Sequence, residues 1–340
     1  MKFKHLFYLF ASLSIVMSAC SDSDDGISGN DTPPEGALPS AEFKPNNLPA
    51  EPYAEDAIRI VAEDEYNAPF YSLELMPDGY YLLVTNHAYN YYSPAVKVAA
   101  KADGKFAIYK KHKAGSMRMR GTTDENGTIT LSDGSEYGKF TKIGDKKYRL
   151  SNGVEVDLLN TSGSDKRISY KNNYGVISNV YVNVSEPVSD EITNSLCRTW
   201  NVNSIEMWFY WNRKYVARIK QTIKDGKGET SVSTISGIDE DEFYSEDDEI
   251  CYKVVFTSRG TYICFYLNGE VDVSLWKWEN KEQGTMYYNR SEYDYDDIAS
   301  NGYVTARFAG NQMRIYEDYT DKEDDISVRM VIVNTFTAAN

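Results

Sequence analysis

Among the side chains here that do chemistry, rings and carboxylates dominate: 28 Tyr and 51 Asp plus Glu stand against three His. Trp276 and Trp278 lie two residues apart, on one face of an alternating segment. Such a pair either stacks on a ligand ring at a barrel mouth or plugs the barrel's end with its own bulk. Tyr287, Tyr288, Tyr293 and Tyr295 are interleaved with Asp294, Asp296 and Asp297. Ring faces beside carboxylate acceptors are the chemistry that grips a sugar, and they are equally the composition of a solvated loop. Tyr89, Tyr91 and Tyr92, around Asn90, form a comparable patch in the first half of the chain.

Little points to catalysis. His87 and His112 have no nucleophile motif around them, and no Gly-x-Ser-x-Gly, His-Glu-x-x-His or phosphate loop occurs. The acidic runs Asp239 to Asp241, Glu246 to Glu249 and Asp321 to Asp325 lack the spaced ligands and turn Gly of a calcium loop, so they read as solvated charge. No catalytic residue, metal or cofactor is expected, and the protein is read as not an enzyme. A glycoside hydrolase needs only two carboxylates at the right separation, which keeps that class as the weakest alternative. A formal charge of −15 with no basic cluster excludes nucleic acid as a partner and disfavours direct adhesion to anionic lipid.

The elements that would position these groups are strands. Lys253 to Thr257, Thr261 to Leu267 and Glu270 to Trp278 alternate with period two, and Asn268-Gly269 between the last two predicts a type I′ hairpin turn. The first half carries Asp103-Gly104, Asn126-Gly127, Asp133-Gly134 and Asn152-Gly153, which leave room for short strands only. Its spacing fits a sandwich or a barrel. The fold class is therefore all-β, with β-rich domains at 53–190 and 194–340 separated near Pro187. Trp208 to Ile219 is ambiguous, aromatic and alternating at first and then compatible with a short helix through Gln221, and Lys224 to Thr230 reads as a loop. Leu75, Gly79 and Tyr81 are spaced like Phe256, Gly260 and Tyr262, the mark of a duplicated unit or simply of two hairpins with Gly turns. Cys197, Cys251 and Cys264 are an odd set. Strand register offsets Cys251 from Cys264, so no bond between them is expected and buried thiols are the simpler reading.

Residues 1–19 combine Lys2 and Lys4, an apolar run from Leu6 to Met17 and the small pair Ser18-Ala19, the parts of an export signal. With Cys20 following, the segment resembles a bacterial lipoprotein signal, which implies lipidation of Cys20 and attachment to the membrane through its acyl chains. Ser21 to Asp25 resembles the acidic tag of Bacteroidetes-type lipoproteins bound for the outer face of the outer membrane; the periplasmic face is the alternative. Residues 20–52 hold six of the ten prolines and read as a disordered tether. Loss of 1–19 removes two Lys and makes the chain more acidic still.

Trp200 after a short leader, Phe256-x-x-x-Gly260-x-Tyr262, Trp276-Lys277-Trp278 and the closing series of short strands resemble the lipocalin-like domains of Bacteroidetes outer-membrane lipoproteins. Arg198 stands where the lipocalin opening has Gly. The resemblance implies a C-terminal antiparallel β-barrel, either open to a ligand or filled by its own side chains. The expected function is that of a non-enzymatic surface lipoprotein binding a glycan or a small apolar molecule. The alternative is an accessory subunit that docks another outer-membrane protein, which a filled barrel would favour.

Overall fold

Short strands leave backbone donors and acceptors unpaired along both edges of a sheet, and closing the sheet on itself removes the edges. The computed structural model describes residues 44–64, 66–85, 93–100, 106–113, 119–132, 134–162, 165–224, 226–235, 243–244, 250–289, 304–323 and 326–339. The chain is almost entirely β and forms two closed eight-stranded antiparallel barrels. The segment read as an export signal, Cys20 and the first part of the segment read as a tether lie outside the described residues.

The first barrel begins with β1 (Ile58–Ala62), β2 (Ser72–Leu75) and β3 (Tyr80–Val84). An insertion follows, of β4 (Ser93–Ala100), β5 (Phe106–Lys113), β6 (Met119–Thr123) and β7 (Ile129–Leu131). The wall then continues through β8 (Glu136–Gly144), β9 (Lys147–Leu150), β10 (Glu155–Asn160), β11 (Arg167–Lys171) and β12 (Ile177–Ser185). Pairing of Ile60 with Val184 and Ala62 with Val182 joins β1 to β12 and closes the ring, which settles the choice between sandwich and barrel.

Helix α1 (Glu191–Leu196) leads into the second barrel, with Asp190 capping it by accepting from the amides of Ile192 and Thr193. Next come β13 (Thr199–Trp211), β14 (Lys214–Lys224), β15 (Lys227–Thr234) and β16 (Phe243–Tyr244), the last of which pairs with β5. The remaining strands are β17 (Cys251–Phe256), β18 (Thr261–Tyr266), β19 (Glu270–Asn280), β20 (Thr285–Asn289), β21 (Val304–Ala309), β22 (Gln312–Glu323) and β23 (Ile326–Ala338). The ring runs from β17 through β23 and closes on β13, with Trp200 opposite Ala338 on one side and Val254 on the other. Beyond the ring, β22, β23, β13, β14 and β15 continue as an open sheet.

Three local expectations change. The ambiguous stretch after Trp208, compatible with a helix, is the β13–β14 hairpin, because Asn212 and Arg213 both take positive φ (44° and 70°) and supply a two-residue turn without Gly. Lys227 to Thr230, expected in a loop, belong to β15. At Asn268-Gly269 only Gly269 is left-handed (φ 81°), and its amide bonds the Tyr266 carbonyl at 3.0 Å. The hairpin is therefore a tight turn followed by a glycine bulge, while Asn268 spends its side chain on the Glu270 amide.

The spacing shared by Leu75, Gly79, Tyr81 and by Phe256, Gly260, Tyr262 has a structural counterpart. Both hairpins join the second and third strands of their ring, with Leu75 opposite Tyr81 and Phe256 opposite Tyr262. In each, the Gly carbonyl accepts from the fourth strand, Gly79 from Phe140 at 3.0 Å and Gly260 from Trp276 at 2.7 Å. A Cβ on Gly260 (φ 85°) would stand 3.1 Å from the Trp276 carbonyl, whereas one on Gly269 would meet nothing within 4 Å. Gly260→Ala should therefore destabilise the protein by about 2 kcal/mol and Gly269→Ala by about 1 kcal/mol, read from urea unfolding midpoints. Equal costs would show that the close approach at Gly260 is unimportant.

Candidate functional site

Among the described residues, both barrel interiors are packed with large buried side chains. Ile60, Phe70, Leu73, Leu75, Tyr81, Phe140, Tyr148, Val156 and Val182 pack inside the first. Trp200, Val254, Phe256, Trp276, Met286, Met313 and Phe336 pack inside the second. Cys197, Cys251 and Cys264 are buried free thiols in that same interior.

Trp276 and Trp278 both point inward at the end of the second barrel covered by α1. Their rings meet edge to face at 5.4 Å, Trp276 donates to the Thr257 carbonyl at 3.0 Å, and Trp278 donates to the Thr193 hydroxyl of α1 at 2.9 Å. With every polar ring atom spent on the chain itself, the pair serves as the plug rather than as a platform. Tyr287 lies on the opposite, outer face of the wall, across from Lys277, so the structure does not join it to the tryptophans. Tyr288 sits opposite Trp276 in backbone register, and its side chain is outside the described set. Tyr293, Tyr295, Tyr89, Tyr91 and Tyr92 lie outside the described residues.

The densest electrostatics are where the barrels meet, a place the sequence reading missed. Leu82, Val84 and Tyr137 on the outside of the first barrel bury against Val255, Ile263, Phe265 and Val273 on the outside of the second. Backbone pairing of β6 with β19 continues the contact. This joint explains why β19, read as one-sided, is buried on both faces. At its end lies a cluster of charges. The Thr199 amide donates to Glu51 at 3.0 Å and its hydroxyl to Asp78 at 2.8 Å, while Arg198 donates to the Pro49 carbonyl at 2.9 Å. Asn46 bonds Ser195. The end of the segment read as tether is thus laid along the second barrel, because its carbonyls and Glu51 find fixed partners there.

Burial pushes the Glu51 carboxyl up to about 7, against the Thr199 amide, with Asp78 adding to the rise. Burial likewise raises Asp78, and the Thr199 hydroxyl opposes it. Lys253 occupies the apolar side of the joint, its ammonium 3.8 Å from the Phe265 ring centre, 5.2 Å from Tyr137 and 5.5 Å from Tyr80. Burial lowers its pKa, with Asp78 pulling the other way. A lone Lys in the otherwise apolar run Cys251-Tyr252-Lys253-Val254-Val255-Phe256 was the one signal in sequence that this strand has a second, aromatic neighbour. Chemically the cluster holds a proton near neutral pH and fixes residues 49–51. Among the described residues, the second Glu51 oxygen, Oε2, and the Arg198 Nε are buried there without a hydrogen-bond partner.

No protein-family model matches the chain, and no curated protein is found similar to it.

Since the folded carboxyl of Glu51 holds its proton more tightly than the unfolded one, its stabilising contribution is fully present below about 4.5. It is lost as pH rises through about 7. Glu51→Gln keeps an oxygen for the Thr199 amide and removes the titration. Thermal melts should show the variant matching the parent near pH 4.5 and exceeding it above pH 7. Partial solvation holds the gain to about 1–2 kcal/mol. A variant less stable than the parent at pH 8 would mean that the carboxylate itself is the better partner.

Proposed function

We propose that this protein is a non-enzymatic lipoprotein of the bacterial cell envelope, held at the outer membrane by acyl chains on Cys20, which recognises its partner with the outside of two solid barrels. The observation that carries this reading is the filled interior of both rings, since a small apolar ligand would have to displace Trp200, Phe256, Met286 and Met313. The polarity supports it too. Lys147, Arg149, Asp157 and Glu155 pair on the outer wall of the first barrel while its interior is apolar, the reverse of a barrel that spans a bilayer. Membrane attachment is then left to the lipid, for which two or more acyl chains suffice. The resemblance to lipocalin-like lipoproteins belongs to this reading, with Trp200 packed on the barrel floor beneath α1 and donating to the Leu196 carbonyl.

A second reading, docking of another envelope protein, is favoured by β15. Among the described residues this strand pairs on one side only, with β14, and so offers an edge to which a partner strand can add.

Two measurements test the proposal. Radiolabelled palmitate fed to cells should be incorporated into the parent and not into Cys20→Ala, which should leave the membrane fraction; labelling that survives the substitution would refute the anchor. Calorimetric titration of the protein with long-chain fatty acids and with extended polymers of the envelope should give heat only with the latter. Saturable fatty-acid binding would restore an open barrel.

A further inference from the structure

Large apolar side chains exposed among the described residues are concentrated at one end of the first barrel. Tyr66 is 81% exposed in the β1–β2 loop, Tyr174 is 86% exposed at the β11–β12 turn, and Tyr181 is 50% exposed on the outer face of β12. Val176 and Ile177 lie between the last two. Backbone ties bring the segments together: the Glu63 amide bonds the Tyr181 carbonyl at 3.0 Å, and Ile177 to Tyr181 run along one strand for about 13 Å. Each ring is held on a fixed backbone. Asn172 accepts from the amides of Tyr174 and Val176, Asp64 accepts from those of Tyr66 and Asn67, and Tyr181 is set in the β11–β12 ladder opposite Arg167.

Between the rings stand the exposed carboxamides of Asn67, Asn173 and Asn179, with Arg167 and Lys171 across the ladder from Tyr181 and Ile177 on the same outer face. A carboxamide donates and accepts at once, as a sugar hydroxyl does, and a flat ring face covers the C–H face of a pyranose. A protein partner would instead be met by a larger contiguous dry core than Val176 and Ile177 provide between Asn173 and Asn179. The Asp64 carboxylate, held ionised by hydrogen bonds from Asn67 and the Tyr66 amide, and the exposed Glu63 are balanced by Arg167 and Lys171 on the neighbouring strand, so the face sums to near neutrality within a chain of formal charge −15. An anionic polymer is repelled by the whole and finds on this face two cations four residues apart along β11, Arg167 and Lys171, of which Lys171 is already paired with Glu155.

Position leaves the face unobstructed by the described part of the N-terminal segment. Residues 44–53 enter at the other end of the first barrel, where the Tyr53 amide bonds the Pro77 carbonyl at 2.8 Å, next to the β2–β3 turn. The β1–β2 loop and the β11–β12 turn lie at the opposite end, since Ile58 pairs with Leu75 whereas Ala62 pairs with Val182. The face therefore lies at the end of the first barrel remote from the entry of the N-terminal segment.

We propose that Tyr66, Tyr174 and Tyr181, with Asn173 and Asn179, form a binding face for a neutral polysaccharide. This deepens the surface-recognition reading and rests on it. The test is affinity electrophoresis of the mature protein through gels containing glycogen, laminarin or mannan, each a neutral polymer, with heparin as the anionic comparison. At least one neutral polymer should retard the parent, and Tyr66→Ala/Tyr174→Ala/Tyr181→Ala should weaken that retardation at least tenfold. The corresponding triple Phe variant, which keeps the ring faces, should retain most of it, as should Val188→Ala away from the face. The replaced side chains are exposed, so the melting temperature should stay within a few degrees and separates loss of binding from loss of fold. Retardation that the triple Ala variant leaves intact overturns this site while leaving surface recognition standing. Retardation by heparin alone, or by none of the polymers, overturns the ligand class.

Discussion

Closure of each sheet on itself is the constraint from which the rest follows. Once β1 meets β12 and β13 meets β23, every alternate side chain is committed to an interior whose width eight strands fix. Large residues at those positions, Trp200, Phe256 and Trp276 in one ring and Phe70, Tyr81 and Phe140 in the other, then leave no choice but a packed core. With its interior occupied by its own side chains, a ring of this kind has only its outer wall, its rims and its edges left for recognition.

The outer walls divide the work. On one side the first barrel gives up its outer face to the second, and the contact is built like a core: aliphatic rows from β3 and β18, the aromatic box around Lys253, and a cluster of acids and Thr199 at the margin. Burying Glu51 and Asp78 costs free energy, offset by hydrogen bonds from Thr199 and by the apolar surface covered beside them. The same contact fixes where the N-terminal segment enters, beside the β2–β3 turn of the first barrel. The side away from the joint keeps its charged ladder of Lys147, Asp157, Arg149 and Glu155, and at its far rim its exposed rings.

Much of this architecture is legible in the sequence because it is local. Alternation in Thr261 to Leu267 and the Gly turns at 79, 153, 260 and 269 locate strands and hairpins directly. What escaped is of two kinds. The turn at Asn212-Arg213 uses left-handed residues that are not Gly, so an aromatic strand followed by Lys, Arg and Gln stayed compatible with a helix. The rest is long-range: ring closure joins residues more than 100 apart, and Thr199 reaches Asp78 across 121 residues, which no local pattern encodes. Trp276 and Trp278 were correctly placed on one face. Their use as a plug depends on α1, through Thr193, lying across the barrel's end.

The central claim is that the interiors are solid, and xenon tests it most directly, because it enters apolar cavities that ordinary ligands reach slowly or not at all. Methyl NMR of protein labelled at methionine, recorded under increasing xenon pressure, would follow Met286 and Met313, both fully buried in the second barrel. The account predicts small shifts that grow linearly with pressure and never saturate. A saturating shift at either methyl would reveal a cavity and contradict it.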